Sequence, residues 1–302
     1  MQLFQVLSVK QNWKIVYMKI YSLSYCLFLV LALFGSCNND TNSNKEAILN
    51  SDDSTAFLEV KSPSVPFGKY DMVISDIPFP FEILDNLYSK KIPFNERAMN
   101  EIRNISKYNQ YYSKALNLGV YGADLAYAVT YEEFSKMGAY IKNTKRLAEE
   151  LNIPYAFDQS MMDKYSKYKD NKDSLTKIVY ESYNQVDKAL KGDERVGMAA
   201  LVVTGSWLEG LYISSKTFLK TPKTTENSSL YKVIRTQKQS LVIVIKLLEE
   251  YKKDLFISGV IADLNGITAD YNNITSDSMM NETQLLIIHS KIETLRSKII
   301  EG

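Results

Sequence analysis

Residues 194–219 read ERVGMAALVVTGSWLEGLYISSKTFL, and this stretch decides the fold. Every residue from Val196 to Val203 is apolar or small, and only Glu209 and Lys216 carry a charge after it. A helix without a polar face is suited to the interior of a protein and not to water. The stretch therefore predicts a central buried helix around which the rest of the chain packs.

Helical apolar patterns continue on both sides of this stretch. Leu241–Ile245 alone would suit a strand, since four of its five residues are β-branched, but a helical face from Tyr231 to Leu248 runs through it and favours a helix. The last apolar series alternates steps of three and four residues, which is typical of a bundle seam or of a face for a partner helix: Leu285, Ile288, Ile292, Leu295 and Ile299. The fold class that follows is all-α, a multi-helix bundle of about eight to ten helices.

Capping residues and prolines set the predicted helix boundaries. Asn95, Asp158 and the pair Asp173-Ser174 are candidate N-caps. The helices predicted before the central one cover residues 98–118, 121–137, 138–151, 158–169 and about 174–190.

Residues 18–37, MKIYSLSYCLFLVLALFGSC, have the layout of a bacterial lipoprotein signal. Lys19 supplies the positive charge, Ile20–Phe34 is an apolar run, and Gly35-Ser36-Cys37 ends it with small residues and a cysteine. The run is too short for a membrane-spanning helix, which needs about 20 apolar residues. We therefore expect cleavage before Cys37, lipidation of Cys37, and a true start at Met18.

The segment around this cysteine, Phe34-Gly35-Ser36-Cys37-Asn38-Asn39-Asp40, resembles lipoproteins of Bacteroidetes bacteria. The resemblance implies a cell-envelope protein that is lipid-anchored to the outer membrane, on its periplasmic face or at the cell surface. Cys26 would be removed with the signal, so no free thiol would remain for a disulfide, a metal or a nucleophile.

Composition divides the chain into a signal region at 1–36, a lipidated cysteine with a polar, flexible spacer at 37–65, and a helical domain at 66–302. Of the 36 Lys and Arg residues three lie in the signal region, so 33 face 35 Asp and Glu in the mature chain, a net charge of −2. Because there is no excess of positive charge, nucleic acid is not an expected partner. The remaining length suits one large domain, or two small ones that share helices.

Two segments place an acid among aromatic and small residues: NLGVYGADLAYA at 117–128 and GSWLEGLY at 205–212. One interpretation is a polar pocket for a small molecule or glycan, with six ligand-binding candidates: Tyr121, Asp124, Tyr127, Trp207, Glu209 and Tyr212. Another is a core network in which tyrosine hydroxyls satisfy the acids, or exposure of both acids to water. A third is a glycosidase-like hydrolase with Asp124 and Glu209 as paired carboxylates.

Other candidate chemistry is sparse. The sole histidine, His289, is flanked at helical spacing by Glu282 and Glu293, and we expect it on a solvated face of the last helix. One imidazole is too few for a zinc site, so no metal and no cofactor are predicted. Gly197, Gly205 and Gly210 lie inside an apparent helix, which suggests a close helix crossing or room for a ligand.

Together with AEELNI at 148–153 and KDSL at 172–175, the two acid-containing segments resemble a family of uncharacterised all-helical Bacteroidetes lipoproteins, over about Phe79 to Lys220. The resemblance implies the fold and the compartment and transfers no catalytic residue. The predicted function is a lipid-anchored helical module that binds a small molecule, a glycan or a protein. The alternatives are the hydrolase and a purely structural envelope protein, to which the regular C-terminal seam points.

Overall fold

Helices make up nearly all of the regular structure. The computed structural model describes residues 77, 79–192, 195–274 and 280–302, and within these ranges it contains no strand, which confirms the all-α class. The nine α-helices of the described residues are α1 (Pro80–Ser89), α2 (Tyr111–Thr130), α3 (Phe134–Glu150), α4 (Gln159–Lys167), α5 (Lys172–Gly192), α6 (Val196–Leu219), α7 (Ser229–Glu249), α8 (Leu255–Asn272) and α9 (Glu282–Glu301). Short 3₁₀ helices cover Glu96–Ala98, Ile102–Lys107 and Pro154–Phe157. The predicted signal region, Cys37 and the spacer lie outside the described residues.

The predicted central helix is α6, and its closest partner is α2. Among the described helices α6 is the one long and apolar enough to cross a membrane, but 78% of that window is buried inside the protein. α2 is almost as buried, with every residue from Ala115 to Thr130 shielded from solvent. The two helices form the core on which the others pack.

Glycines allow α2 and α6 to approach backbone to backbone. A Cβ on Gly119 would overlap the carbonyl oxygen of Val202, and one on Gly205 would lie 2.8 Å from the carbonyl carbon of Leu116. The close crossing predicted from the glycines of α6 is therefore confirmed at Gly205. Gly210 has only ordinary neighbours, at 3.8 Å or more.

The remaining helices cover the central pair on different sides. α1, α3 and α5 pack against α2, while α7 and α9 pack against α6 and are bridged by α8. The C-terminal apolar series is buried between α9 and its neighbours, with exposures of 0 to 2%. It is a seam within the bundle and not a face for a partner helix.

Several predicted boundaries are corrected. The predicted helix over 98–118 is replaced at its start by the end of one 3₁₀ helix at Ala98 and by a second one over Ile102–Lys107. α2 then runs without a break from Tyr111 through Gly119 and Gly122 to Thr130, whereas two helices meeting near residue 120 were predicted. The chain breaks instead at Glu132, which has a left-handed φ of 61°. The glycines did not end the helix because they are required inside it by neighbours that are distant in sequence.

The caps agree with the sequence only in part. Asp158 caps α4 by accepting from the Met161 amide, as predicted. α5 is capped by Asn171, which accepts from the Ser174 amide, and not by Asp173. Asn95 makes no side-chain hydrogen bond that caps a helix.

Leu241–Ile245 lies within α7, which confirms the prediction of a helix over a strand. No helix was predicted where α8 lies.

Candidate functional site

The two acids singled out in the sequence lie next to each other in the core, together with an arginine from the last helix. Arg296 of α9 donates two hydrogen bonds to the Glu209 carboxylate of α6, from Nε to Oε2 and from Nη2 to Oε1, each 2.6 Å long. The Asp124 carboxyl of α2 lies within hydrogen-bonding reach of Glu209. Asp124 and Glu209 are 0% exposed and Arg296 is 5% exposed. We call these three side chains the buried acid–arginine cluster.

The loop before α2 closes the cluster from the other side. Asp124 Oδ2 accepts a 3.1 Å hydrogen bond from the backbone amide of Asn100. The Asn100 side chain donates to the Tyr108 hydroxyl, and its backbone oxygen accepts from the Tyr140 hydroxyl. Asp124 Oδ1 accepts no hydrogen bond from the described residues. A proton on the Asp124 carboxyl can therefore serve as the donor of a hydrogen bond to Glu209.

Further contacts bind the end of α9 to the core. The Arg296 guanidinium lies 4.0 Å from the ring centre of Tyr212 and donates to the backbone oxygen of Ala98. Asn117 of α2 donates to the carbonyl oxygen of Ile299, one of the carbonyls that a helix leaves unpaired at its C-terminus. The cluster thus connects α2, α6 and α9 at one point.

Burial and charge together favour a neutral Asp124. Burial raises the pKa of Asp124 well above its usual range, and the Glu209 carboxylate raises it further, against the opposing effect of the Arg296 guanidinium. Burial also disfavours the Arg296 cation, but Glu209 holds the pKa of the guanidinium above its ordinary value. One guanidinium then balances one carboxylate, and the cluster carries no net charge.

This arrangement is suited to holding helices together. Acid–base catalysis on a bound substrate requires carboxyl groups that the substrate can reach, and neither acid is exposed. The bidentate arginine also occupies both oxygens of Glu209. The contacts match the predicted interpretation of a satisfied core network, with a different partner, because arginine and a backbone amide take the place of the tyrosine hydroxyls.

The other four candidates are buried but do not converge on a common cavity. The Tyr121 hydroxyl donates to the backbone oxygen of Glu101, and the Tyr127 hydroxyl accepts from the Asn95 amide. The Trp207 indole donates to the side chain of Gln237 on α7. Of these four residues Tyr212 contacts the buried acid–arginine cluster, since its ring packs against the Arg296 guanidinium.

His289 does not lie on a solvated face, and that expectation is wrong. The imidazole is 7% exposed, its Nδ1 is 2.9 Å from the Ser215 hydroxyl, and its ring stacks on Tyr212. Glu293 Oε2 is 4.0 Å from His289 Nε2. A serine, a histidine and a glutamate thus meet here, but Ser215 is fully buried and its hydroxyl is also within hydrogen-bonding distance of the carbonyl oxygens of Leu211 and Tyr212, so the group is built as a core contact.

The buried imidazole predicts acid sensitivity. Burial lowers the pKa of His289 from 6.5 to about 4, although Glu293 opposes this shift. The unfolded chain therefore takes up this proton at higher pH than the folded chain, and stability that is complete above pH 6.5 is lost as the pH falls through 4, by about 3 kcal/mol. Because His289 is the only histidine, NMR titration of its imidazole measures the folded pKa without ambiguity.

His289→Gln is the control, since glutamine can still bond to Ser215 and does not titrate. Its free energy of unfolding should lack the component that the wild type loses between pH 6.5 and 4. A folded titration midpoint near 6.5, with equal pH profiles for the two proteins, would show that the imidazole is not held neutral by burial.

Two cavities among the described residues lie away from these groups. One of about 20 Å³, enough for about one water, lies between α2, α3, α5 and α6 beside Tyr183 and Gly122. A shallow depression follows the surface of α4 near Lys164 and Lys167. Within the described ranges no three His, Cys, Asp or Glu side chains are grouped so as to hold a metal ion.

Two members of the core network, Arg296 and Asn100, were not predicted. Arg296 lies between Ile292 and Ile299 at helical spacing, so a charge on the apolar seam was the signal that a buried acid must be near it. Asn100 acts through its backbone amide, which no sequence pattern marks.

Comparison with protein-family models, with curated proteins and with solved structures found no match to this chain.

Proposed function

We propose that this chain is a lipid-anchored cell-envelope protein whose helical domain binds a ligand or a protein partner. The observation that carries the proposal is the sequence pattern that ends in Gly35-Ser36-Cys37, followed by a segment up to about Lys61 that is rich in Asn, Ser, Thr and Asp. That order is typical of bacterial lipoproteins, which leave the cytosol and remain attached to a membrane by acyl chains.

The burial of the acid–arginine cluster bears on the hydrolase alternative. The two acids that could act as a hydrolytic pair are enclosed, and one of them is ion-paired. No contact among the described residues favours the hydrolase alternative, so we do not carry it forward. A binding role places the functional surface on the outside of the bundle, with the interior serving to keep that surface rigid.

Mass spectrometry of the mature protein tests the anchor. Cells that express the full chain should yield a membrane-associated protein whose N-terminal residue is Cys37 with attached acyl chains. Cys37→Ser is the control, because serine cannot form the thioether; this variant should keep its signal region and lose the acyl mass. An unmodified Cys37 in a soluble extract would contradict the assignment of the signal, and a peptide from residues before Met18 in the precursor would contradict the start at Met18.

A further inference from the structure

The segment between α1 and α2 is held against the core mainly through its own backbone. Six main-chain groups of residues 95–102 are hydrogen-bonded at 2.9 to 3.3 Å to side chains of the helices beneath them. The six pairs are the Asn95 amide with Tyr127, the Ala98 oxygen with Arg296, the Asn100 amide with Asp124, and the oxygens of Asn100, Glu101 and Ile102 with Tyr140, Tyr121 and Asn143. We call residues 95–108 the strap.

The strap covers the buried acid–arginine cluster. Two of the six bonds come from the cluster itself, since Asp124 accepts from the Asn100 amide and Arg296 donates to the Ala98 oxygen. Ala98 and Asn100 are 0% and 1% exposed, while the neighbouring Arg97 is exposed. One side of the strap therefore faces the cluster, and the other side faces water.

The charges under the strap balance only while one carboxyl keeps a proton. Among the described residues Asp124 and Glu209 share a single cation, Arg296, and two carboxylates this close together without water cannot both ionise at low cost.

The other titratable groups that face Asp124 within the described ranges are five tyrosines, from α2, α3, α5 and the strap: Tyr121, Tyr127, Tyr140, Tyr183 and Tyr108. Burial raises the pKa of each of them, to about 12 for Tyr108 and Tyr127. They are therefore neutral at lower pH and supply no charge that could balance a second carboxylate.

The strap is the part of this enclosure that can yield first. α9 is fixed by its buried apolar seam, and α2 and α6 are fixed by their close crossing at Gly119 and Gly205. The strap contains only short 3₁₀ turns, and each of its hydrogen bonds to the core is weak by itself. Lifting the strap would admit water to a second carboxylate and leave the rest of the core closed.

We propose that the strap is a proton-controlled lid, which is closed while Asp124 carries a proton and opens when that proton passes to the solvent. In the closed state burial and the Glu209 carboxylate raise the pKa of Asp124, whereas in the open state the carboxyl meets water. The closed state therefore binds the proton more tightly, and a rise in pH above the ordinary pKa of Asp124 favours the open state. The proposal does not depend on the lipid anchor at Cys37.

The reactivity of a single thiol under the strap tests the lid. Met99→Cys is made in the full chain together with Cys26→Ser and Cys37→Ser, so that position 99 carries the only thiol. Met99 is 7% exposed, and Arg97→Cys is the matched control on the outer side of the same segment. The ratio of the two labelling rates removes the pH dependence of the thiolate itself. The reagent is kept dilute, so that the strap recloses faster than it is labelled.

We expect the ratio of the rates at positions 99 and 97 to rise with pH, by about tenfold per pH unit until the closed state also loses its proton. In Asp124→Asn, where no proton can be lost, the ratio should not change with pH. A constant ratio in the protein that keeps Asp124, or an equal rise in Asp124→Asn, would overturn the proposal.

A thiol on another helix separates opening of the strap from unfolding of the domain. Ala189→Cys lies on α5, where Ala189 is 5% exposed, and it should stay protected at every pH at which position 99 reacts. Labelling of both positions together would mean that the whole domain opens, which would contradict a local lid.

Infrared spectra test the proton itself and need no thiol. A protonated carboxyl has a carbonyl band that a carboxylate lacks. The wild type should show such a band at neutral pH that Asp124→Asn lacks, and the band should fade as the pH is raised. Equal spectra of the two proteins in this region at neutral pH would overturn the proposal, even if Met99→Cys did not fold.

Discussion

Replacing Arg296 with methionine is expected to lower the free energy of unfolding by about 3–5 kcal/mol, because the change leaves the Glu209 carboxylate buried without its partner. Methionine keeps much of the volume of the arginine stem, so the loss is electrostatic more than steric. Urea unfolding at neutral pH measures it. The far-UV signal of the folded state should be retained, since the other contacts of α9 remain.

Asp124→Asn is the matched control for this prediction. The amide is neutral, as the protonated acid is, and it keeps an acceptor for the Asn100 amide and a donor for Glu209. It should cost about 1 kcal/mol or less. If Arg296→Met unfolded within about 0.5 kcal/mol of the wild type, in the range of ordinary surface changes, the cluster would not be holding the helices together.

Gly119→Ala and Gly205→Ala should each destabilise the protein by about 3 kcal/mol or more, since the added methyl group meets backbone and not a movable side chain. α2 and α6 would have to separate, and every layer packed on them would shift. Thermal unfolding of the two variants, compared with the wild type, measures the loss.

Gly138 and Gly266 provide the comparison, because both lie within helices and a methyl group on either meets nothing within 4 Å. Alanine at these positions should stabilise the protein by about 0.5–1 kcal/mol through its better helix propensity. A gain in stability at Gly119 or Gly205 of the same size would mean that the close crossing is not required.

Local patterns predicted the parts of the fold that depend on local physics. The apolar and small residues from Val196 to Val203 identified the central helix, and the spacing of the last apolar series offered the buried seam of α9 as one of two interpretations. Asp158 was recognised as a cap because capping is a contact over three residues. These predictions needed no knowledge of what lies across the core.

The errors concern contacts between residues far apart in sequence. Gly119 and Gly122 resemble helix breakers until the backbone of α6 and the ring of Tyr183 are placed against them. His289 was predicted on a solvated face because Glu282 and Glu293 flank it at helical spacing, while Ser215 and Tyr212 reach it from another helix.

The sequence predicted which acids belong to the candidate site but not which side chain each of them pairs with. Asp124 and Glu209 were correctly marked as acids on apolar helices, and buried acids require partners. The partner of Glu209 lies 87 residues away, at Arg296, and only the packing of α9 on α6 brings the two together. The functional predictions differ in the same way: the proposed signal at residues 18–37 rests on a local pattern alone, whereas the role of the acids depends on the assembled core.

A double-mutant cycle between Glu209 and Arg296 tests most directly whether the acids hold the fold. We predict that Glu209→Leu and Arg296→Met each cost about 3–5 kcal/mol, that the double variant costs less than either single change, and that the coupling exceeds about 2 kcal/mol. Additive losses with no coupling would contradict the account, because they would mean that the ion pair seen in the core does not stabilise the bundle.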